Sequence, residues 1–95
     1  MLIGIVKGTV VSNTRNDKLP GARYLLIEKA LPDGTTKGEF IVAYDLIGAN
    51  RDELVYVSES TSARETFETQ NKPVDAVIVG IVDLIDIDEK TVYTK

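Results

Sequence analysis

The stretch PVDAVIVGIVDLIDI, residues 73–87, decides how the rest of the chain can fold. Its many Val and Ile residues favour strand over helix, because β-branched side chains pack well on a pleated surface. Gly80 within the run predicts a bend or a close approach of another backbone. Apolar side chains are expected on both faces, with Val77, Val79 and Ile81 on one face and Ile78 and Val82 on the other.

A strand that is apolar on both faces has to be covered on both faces. A chain of 95 residues has little material of its own for the second face, which indicates that another subunit supplies the cover. Asp75 and Asp83 share one parity while Asp86 has the other, so the outward face is expected to change phase near Leu84 and Ile85. A long, bent strand of this kind is typical of a small closed barrel.

Four strands are predicted ahead of this stretch, and turn signals separate them. The first strand is expected to face the core through Leu2, Val6 and Val10. Pro32-Asp33-Gly34 predicts a hairpin turn between the second and third strands. The strands are predicted over residues 2–11, 22–31, 39–45 and 54–57, and a short terminal strand is predicted over residues 91–93.

One helix is predicted, over residues 60–70. Ser62 followed by Glu65 matches a capping box, and Phe67 can turn towards the core. The elements together predict an all-β fold, a small five-stranded OB-like β-barrel with one short helix. The chain contains no internal repeat or linker, so a single domain is expected over residues 1–95.

Composition and charge exclude several classes of function. The net charge of −4 argues against a phosphate-binding surface, so no nucleic-acid partner is expected. The chain contains no Cys and no His, and lacks the usual thiolate and imidazole ligands and the usual general base. No cofactor and no metal are therefore expected. No run approaches the roughly 18 apolar residues that span a bilayer, which predicts a cytoplasmic protein without a membrane partner.

Enzymatic activity is not expected from the acidic residues. Asp45, Asp75 and Asp83 could form a carboxylate cluster, but no activating base accompanies them. Ion pairs or capping hydrogen bonds are the favoured interpretation of all three. The segment 86–89 carries oxygen ligands but lacks the glycine and spacing of a calcium loop, so a solvated acidic turn is expected there.

A binding module is the alternative that the barrel leaves open. Single-stranded nucleic acid is bound on such barrels by aromatic side chains beside basic ones. Tyr24, Phe40, Tyr44 and Tyr56 are the available aromatics, and core or interface positions are favoured for them. An OB-like protein- or nucleic-acid-binding module therefore stays as the second hypothesis.

An ordered set of short motifs spans nearly the whole chain. AYDLIGA over residues 43–49 is followed by SAR over 62–64, PVDA over 73–76 and VGIVD over 79–83. GTVVS over 8–12, the pair Leu25-Leu26 and the pair Leu54-Val55 complete the set. In this order and spacing the chain resembles the vertex proteins of bacterial microcompartments, the EutN/CcmL type. The resemblance implies a non-enzymatic, carboxysome-like structural shell protein, a homopentamer that caps fivefold corners between hexameric shell proteins.

The same resemblance suggests where the assembly sites lie. The loop Gly48, Ala49 and Asn50 is expected near the fivefold axis, where small residues allow five backbones to approach closely. Asn50 stands where the family usually has glycine, and is expected to keep a left-handed turn. The subunit interface is expected to involve Ser62, Arg64, Val77, Val79 and Ile81.

Overall fold

The computed structural model describes residues 2–11, 23–59 and 76–95. The predicted helix over residues 60–70 lies outside the described residues. None of the described residues belongs to a helix long and apolar enough to span a membrane. The strands of the described part are β1 (Leu2–Val10), β2 (Tyr24–Ala30), β3 (Thr36–Asp45), β4 (Leu54–Glu59), β5 (Ala76–Ile81), β6 (Leu84–Ile87) and β7 (Lys90–Thr94).

Five strands close into a barrel in the order β1-β2-β3-β5-β4, and β4 returns to β1. All neighbouring pairs are antiparallel except β3 and β5, which run parallel. The parallel contact is short, because only Tyr44 with Val77 and Asp45 with Ile78 lie opposite each other. The five-stranded all-β barrel expected from the sequence is confirmed.

The core lies inside the barrel and takes aliphatic side chains from all five strands. Gly4 makes this packing possible, because a Cβ at Gly4 would meet Ile27 Cγ2 and lie 2.7 Å from the carbonyl oxygen of Glu28. The strands can approach so closely only where one side chain is missing. The buried members of the core are Val6, Leu25, Ile27, Ala43, Ala49, Val55, Val57, Ala76 and Ile78.

Strand β1 contains a bulge, and after this bulge the alternation of inward-facing and outward-facing side chains is shifted by one residue. The register with β2 shifts between Val6 and Gly8, so Lys7 has no partner across this ladder. Val10 then lies opposite Tyr24, which packs in a second cluster and not in the barrel core. The expectation that Val10 faces the core is wrong, because one extra residue moves every later side chain to the opposite face.

The stretch 73–87 is not one continuous strand. Strand β5 ends at Ile81, β6 begins at Leu84, and β6 pairs with β7 in a separate two-stranded sheet. The prediction of one long strand is therefore corrected. Val82 remains tied to the barrel, because its N–H donates to the carbonyl oxygen of Leu54 at 2.8 Å.

The change of phase within this stretch comes earlier than expected. Tyr56 lies opposite Gly80 and Val57 opposite Ile78, which leaves Val79 unpaired in a bulge. Ile81 consequently packs against the barrel core, while Val79 packs with the second cluster. The alternation expected for Val77, Val79 and Ile81 is wrong at Ile81 for this reason.

Gly80 has the close approach that the sequence indicated. The aromatic ring of Tyr56 lies over Gly80 and occupies the space that a Cβ would need. An aromatic side chain that covers a glycine on the neighbouring strand restores contact that the missing side chain cannot make. The bulge and the glycine therefore act at the same point of β5.

Two tight turns connect the hairpins. In the turn after β2, the Gly34 N–H donates to the Leu31 carbonyl at 2.8 Å, and Gly34 has a φ of 89°. The hairpin turn predicted at Pro32-Asp33-Gly34 is confirmed. Between β6 and β7, Asp88 and Glu89 have φ values of 52° and 66° and are exposed. The acidic segment is thus a solvated turn of the kind that joins two-residue hairpins.

We expect Gly4→Ala to lower the free energy of unfolding by about 1–3 kcal/mol, the usual cost of overpacking a core. The reason is the contact of the added methyl group with Ile27 and with the backbone of Glu28. The measurement is urea denaturation followed by circular dichroism at one fixed protein concentration.

Gly8→Ala is the matched control on the same strand, since a Cβ there meets no atom of the described residues within 4 Å. It should change the free energy of unfolding by no more than about 0.5 kcal/mol. Equal effects of the two substitutions would show that close packing at Gly4 does not limit the barrel.

Candidate functional site

The loop after β3, residues 46–53, is the segment that the sequence placed near a fivefold axis. Its first half is organised by the carboxylate of Asp45, which is only 1% exposed. The N–H groups of Ile47, Gly48 and Ala49 donate to Asp45 Oδ1 at 3.1, 3.0 and 3.2 Å. The Ala49 N–H also lies 3.1 Å from Asp45 Oδ2. One side chain therefore fixes three successive backbone amides.

Arg23 completes the environment of this carboxylate. Its Nη1 lies 2.9 Å from Asp45 Oδ2, and the Asp45 N–H donates to the Arg23 carbonyl at 2.9 Å. A buried carboxylate is stable when a cation and several N–H donors compensate for its lost hydration. The capping and ion-pair interpretation of Asp45 is confirmed by these contacts.

The second half of the loop is held by Glu53. Its carboxylate accepts a hydrogen bond from the Asn50 N–H and pairs with Lys95 Nζ at 2.8 Å. These bonds, first the one from Lys95 and then the one from Asn50, lower the pKa of Glu53 below its ordinary value of 4.5. The hydrogen bond with Glu53 in turn raises the pKa of Lys95. The last residue of the sequence is thereby tied to the loop.

The three residues expected to line an opening differ in exposure. Gly48 and Asn50 are exposed, whereas Ala49 is fully buried in the barrel core. The side chain of Ala49 thus anchors the loop, and Gly48 and Asn50 form its accessible surface. The left-handed positions are Gly48 and Asp52, with φ values of 75° and 72°. The expectation of a left-handed Asn50 is therefore wrong.

The residues expected at a subunit interface also separate into groups. Val77 is fully buried within its own chain in the second cluster, beside Val79 and an aromatic pair. Val79 and Ile81 are only partly buried and keep some accessible surface. Ser62 and Arg64 lie outside the described residues.

The aromatic pair covers Val77. The rings of Tyr24 and Tyr44 lie 5.8 Å apart at 52°, a tilted arrangement that aromatic pairs favour. Burial, and secondly the nearby Tyr44, raise the pKa of Tyr24. Both rings serve packing in the second cluster, and this arrangement differs from a row of open stacking platforms.

The described residues contain no group of three or more His, Cys, Asp or Glu side chains that could hold a metal ion. Asp45 is committed to its loop, and Asp83 is exposed. Asp75 lies outside the described residues. The carboxylates in the described part therefore form no reactive pair with Asp45.

Sequence reasoning missed a set of exposed apolar side chains. Phe40 and Val42 on β3 are 52% and 46% exposed, and Leu84 and Ile87 on β6 are 56% and 48% exposed. The alternation on β3 contained the signal, because Phe40 and Val42 share one face while the other face is also apolar. A strand that is apolar on both faces within a small barrel indicates a covered outer surface.

Comparison with known proteins then assigns the chain to a family. Residues 1–83 match the family model EutN_CcmL, described as ethanolamine utilisation protein EutN/carboxysome. The chain belongs to the EutN/CcmL family. The resemblance found in the sequence motifs is therefore confirmed, and the match ends one residue before β6.

Members of the EutN/CcmL family align over nearly the whole chain. The carboxysome shell vertex protein CcmL of Gloeobacter violaceus is 37% identical over 95 residues, which are 100% of this chain and 95% of CcmL. Its structure superposes with a TM-score of 0.93 and covers 100% of this chain and 98% of its own.

A second family member has a described oligomeric state. The microcompartment shell vertex protein GrpN of Rhodospirillum rubrum is 40% identical over 90 residues, covering 90% of this chain and 97% of GrpN. Its structure, a pentameric microcompartment shell protein, has a TM-score of 0.82 at 36% identity, covering 92% of this chain and 99% of the GrpN chain. EutN of Escherichia coli, also a shell vertex protein, is 32% identical over the full length of both chains.

Replacing Asp45 by Ala should destabilise the protein by about 2 kcal/mol, because three backbone N–H donors and Arg23 would lose a charged acceptor whose side chain is buried. Amide hydrogen exchange at residues 47–49 should accelerate in the same variant, since these amides bond to Asp45. Asp86→Ala, at an exposed position, is the control and should stay within about 0.5 kcal/mol of wild type. Unchanged exchange in Asp45→Ala would contradict this account of the loop.

The Glu53–Lys95 pair should make stability depend on acid pH. Because the folded pKa of Glu53 is lowered, its contribution is present above the ordinary value of 4.5 and is lost as pH falls through the folded pKa. We expect Glu53→Gln to remove this part of the fall in Tm between neutral pH and pH about 3. Lys95→Met should remove part of it as well, and a wild-type profile in both variants would contradict the assignment.

Proposed function

We propose that this chain is a structural shell protein, and that five copies form a ring that caps the fivefold vertices of a bacterial microcompartment. The observation that carries the proposal is the likeness over the full length to CcmL, with 37% identity and a TM-score of 0.93. The pentameric structure of GrpN supports the fivefold ring. All 95 residues are taken as one domain of this shell protein.

The protein acts by closing a surface and not by chemistry. Its relatives are shell vertex proteins. The carboxylate of Asp45 is already hydrogen-bonded to the backbone of the loop 46–49. Catalysis needs a group whose proton or lone pair is available to a substrate. No cofactor takes part in the proposed function.

The partners follow from the place of a vertex in a shell. Each chain contacts neighbouring copies of itself within the ring, and the pentamer contacts hexameric shell proteins of the facets around it. We propose no nucleic-acid partner, since a net charge of −4 repels a polyanion, and no membrane partner. The location is the microcompartment shell.

The loop 46–53 is proposed to line a narrow axial opening through Gly48 and Asn50. Three hydrogen bonds to Asp45 and the buried Ala49 hold the loop in one conformation. A rigid loop with a glycine at its surface can approach a symmetry axis more closely than one with bulky side chains. The ring contact is proposed to include Val79 and Ile81, and Ser62 and Arg64 remain predicted contacts.

The proposal is tested by the morphology of shells. A strain that lacks this protein and any paralogue should form shells with open or misshapen corners and leaky contents. The encapsulated enzymes should keep their specific activity when they are released by lysis. Complementation with the wild-type chain should restore closed shells in electron micrographs. Closed shells in the deletion strain would overturn the proposed function.

A further inference from the structure

Fivefold symmetry limits how neighbouring chains can meet. In a ring of five, each contact is heterologous: one surface of a chain meets a different surface of the next chain. Every chain must therefore carry two complementary surfaces that are both free in the isolated chain. This inference rests on the proposed pentamer.

The first such surface is the outer face of β3. From Thr36 to Ala43 this strand pairs with β2, and β5 joins it only at Tyr44 and Asp45. Within the described residues, most of one β3 edge thus has no ladder partner. Phe40 and Val42 stand on this strand with about half of their surface exposed. An unpaired strand edge and exposed apolar side chains on the face of the same strand both indicate a surface that another element covers.

The second surface is the β6–β7 arm, residues 84–94, which forms a sheet of its own. Its base is fixed to the barrel, because the Lys95 N–H donates to the Asp83 carbonyl at 2.9 Å and Lys95 pairs with Glu53. Beyond this base, Leu84 and Ile87 remain about half exposed. A two-stranded sheet is marginally stable in water, and further apolar contact stabilises it.

The arm is partly supported within its own chain on one side. The Tyr93 ring lies against the β2–β3 turn, where a Cβ at Gly34 would be 3.0 Å from it. This contact leaves Leu84 accessible, since Leu84 is 56% exposed. The arm is thus held in place by its own barrel while it presents an apolar surface outward.

We propose that the β6–β7 arm of each chain packs on the outer face of β3 of the next chain, with Leu84 against Phe40 and Val42. Neither surface covers the other within one chain, because all three side chains are about half exposed. A second copy is the occupant that supplies both surfaces at once and in equal number. The arm also lies beyond the residues that the family model matches.

Disulfide trapping tests this contact directly, since the chain contains no native Cys. Val42→Cys and Leu84→Cys are made in separate chains, dissociated, mixed and reassembled under oxidising conditions. We expect cross-linked pairs in the mixture and none in either single variant, because the contact joins two different surfaces. The double variant should give a ladder of up to five linked chains on a denaturing gel.

Thr9→Cys in place of Leu84→Cys is the control, at an exposed position of β1 outside both surfaces. It should give no pairs with Val42→Cys. Cross-linking of either single variant to itself, links only within one chain, or intact pentamers without links would each overturn the arm contact.

A second measurement tests the arm contact separately from the existence of the pentamer. Native mass spectrometry over a dilution series should show wild type at about 52 kDa, five chains of 10.4 kDa. Leu84→Asp should dissociate at a concentration at least about tenfold higher, because a charge would enter an apolar contact. Thr9→Asp adds the same charge at the control position and should behave as wild type.

The outcomes distinguish the proposed pentamer from the proposed arm contact. A wild-type chain that is not pentameric at micromolar concentration overturns the proposed function. Wild-type pentamers with unchanged dissociation in Leu84→Asp overturn only the arm contact. Equal weakening by Leu84→Asp and Thr9→Asp also overturns it, since the effect would then follow charge and not position.

Discussion

The short parallel contact between β3 and β5 is the constraint on which the rest of the structure depends. Only two residue pairs close the barrel there, Tyr44 with Val77 and Asp45 with Ile78. A barrel of so few strands needs strong local curvature, which bulges and glycines supply. The bulges at Lys7 and Val79 and the glycine at position 4 therefore all contribute to closure of the barrel.

Asp45 connects this closure to the surface of the protein. Its backbone takes part in the β3–β5 contact, and its side chain binds the amides of residues 47–49. The loop position is thus coupled to closure of the barrel. In a ring of five chains, small differences in loop position would be repeated five times around one axis. A buried, fully bonded carboxylate gives the uniform conformation that such a ring requires.

The apolar side chains of the described residues divide between the barrel interior and its outer surface. The buried core of the described part is aliphatic, and the carboxylates of Asp33 and Asp45 hold a turn and a loop. The apolar side chains that remain outside, on β3 and β6, are the ones that assembly can bury. A shell component of this kind works through shape and repeated contact, so its important residues resemble core residues that face outward.

The sequence by itself determined the approximate positions of β1 to β4, the barrel class, the turn at Pro32-Asp33-Gly34 and the family. These features depend on local propensity, on turn chemistry and on ordered motifs, all of which can be read along the chain. The capping role of an aspartate was also predictable from residue type, although the sequence could not choose its partner. Arg23 lies 22 residues from Asp45 along the chain, and only folding brings them together.

Only the tertiary structure decided where, along a strand, the side chains switch between facing the core and facing outward. The bulges at Lys7 and Val79 depend on the partner strand, because an extra residue is defined by what lies opposite it. They moved Val10 out of the core and Ile81 towards it. The break after Ile81, the burial of Ala49 and the exposure of Leu84 have the same origin. Each is set by contacts between distant parts of the chain, which the pattern of apolar residues along one strand does not contain.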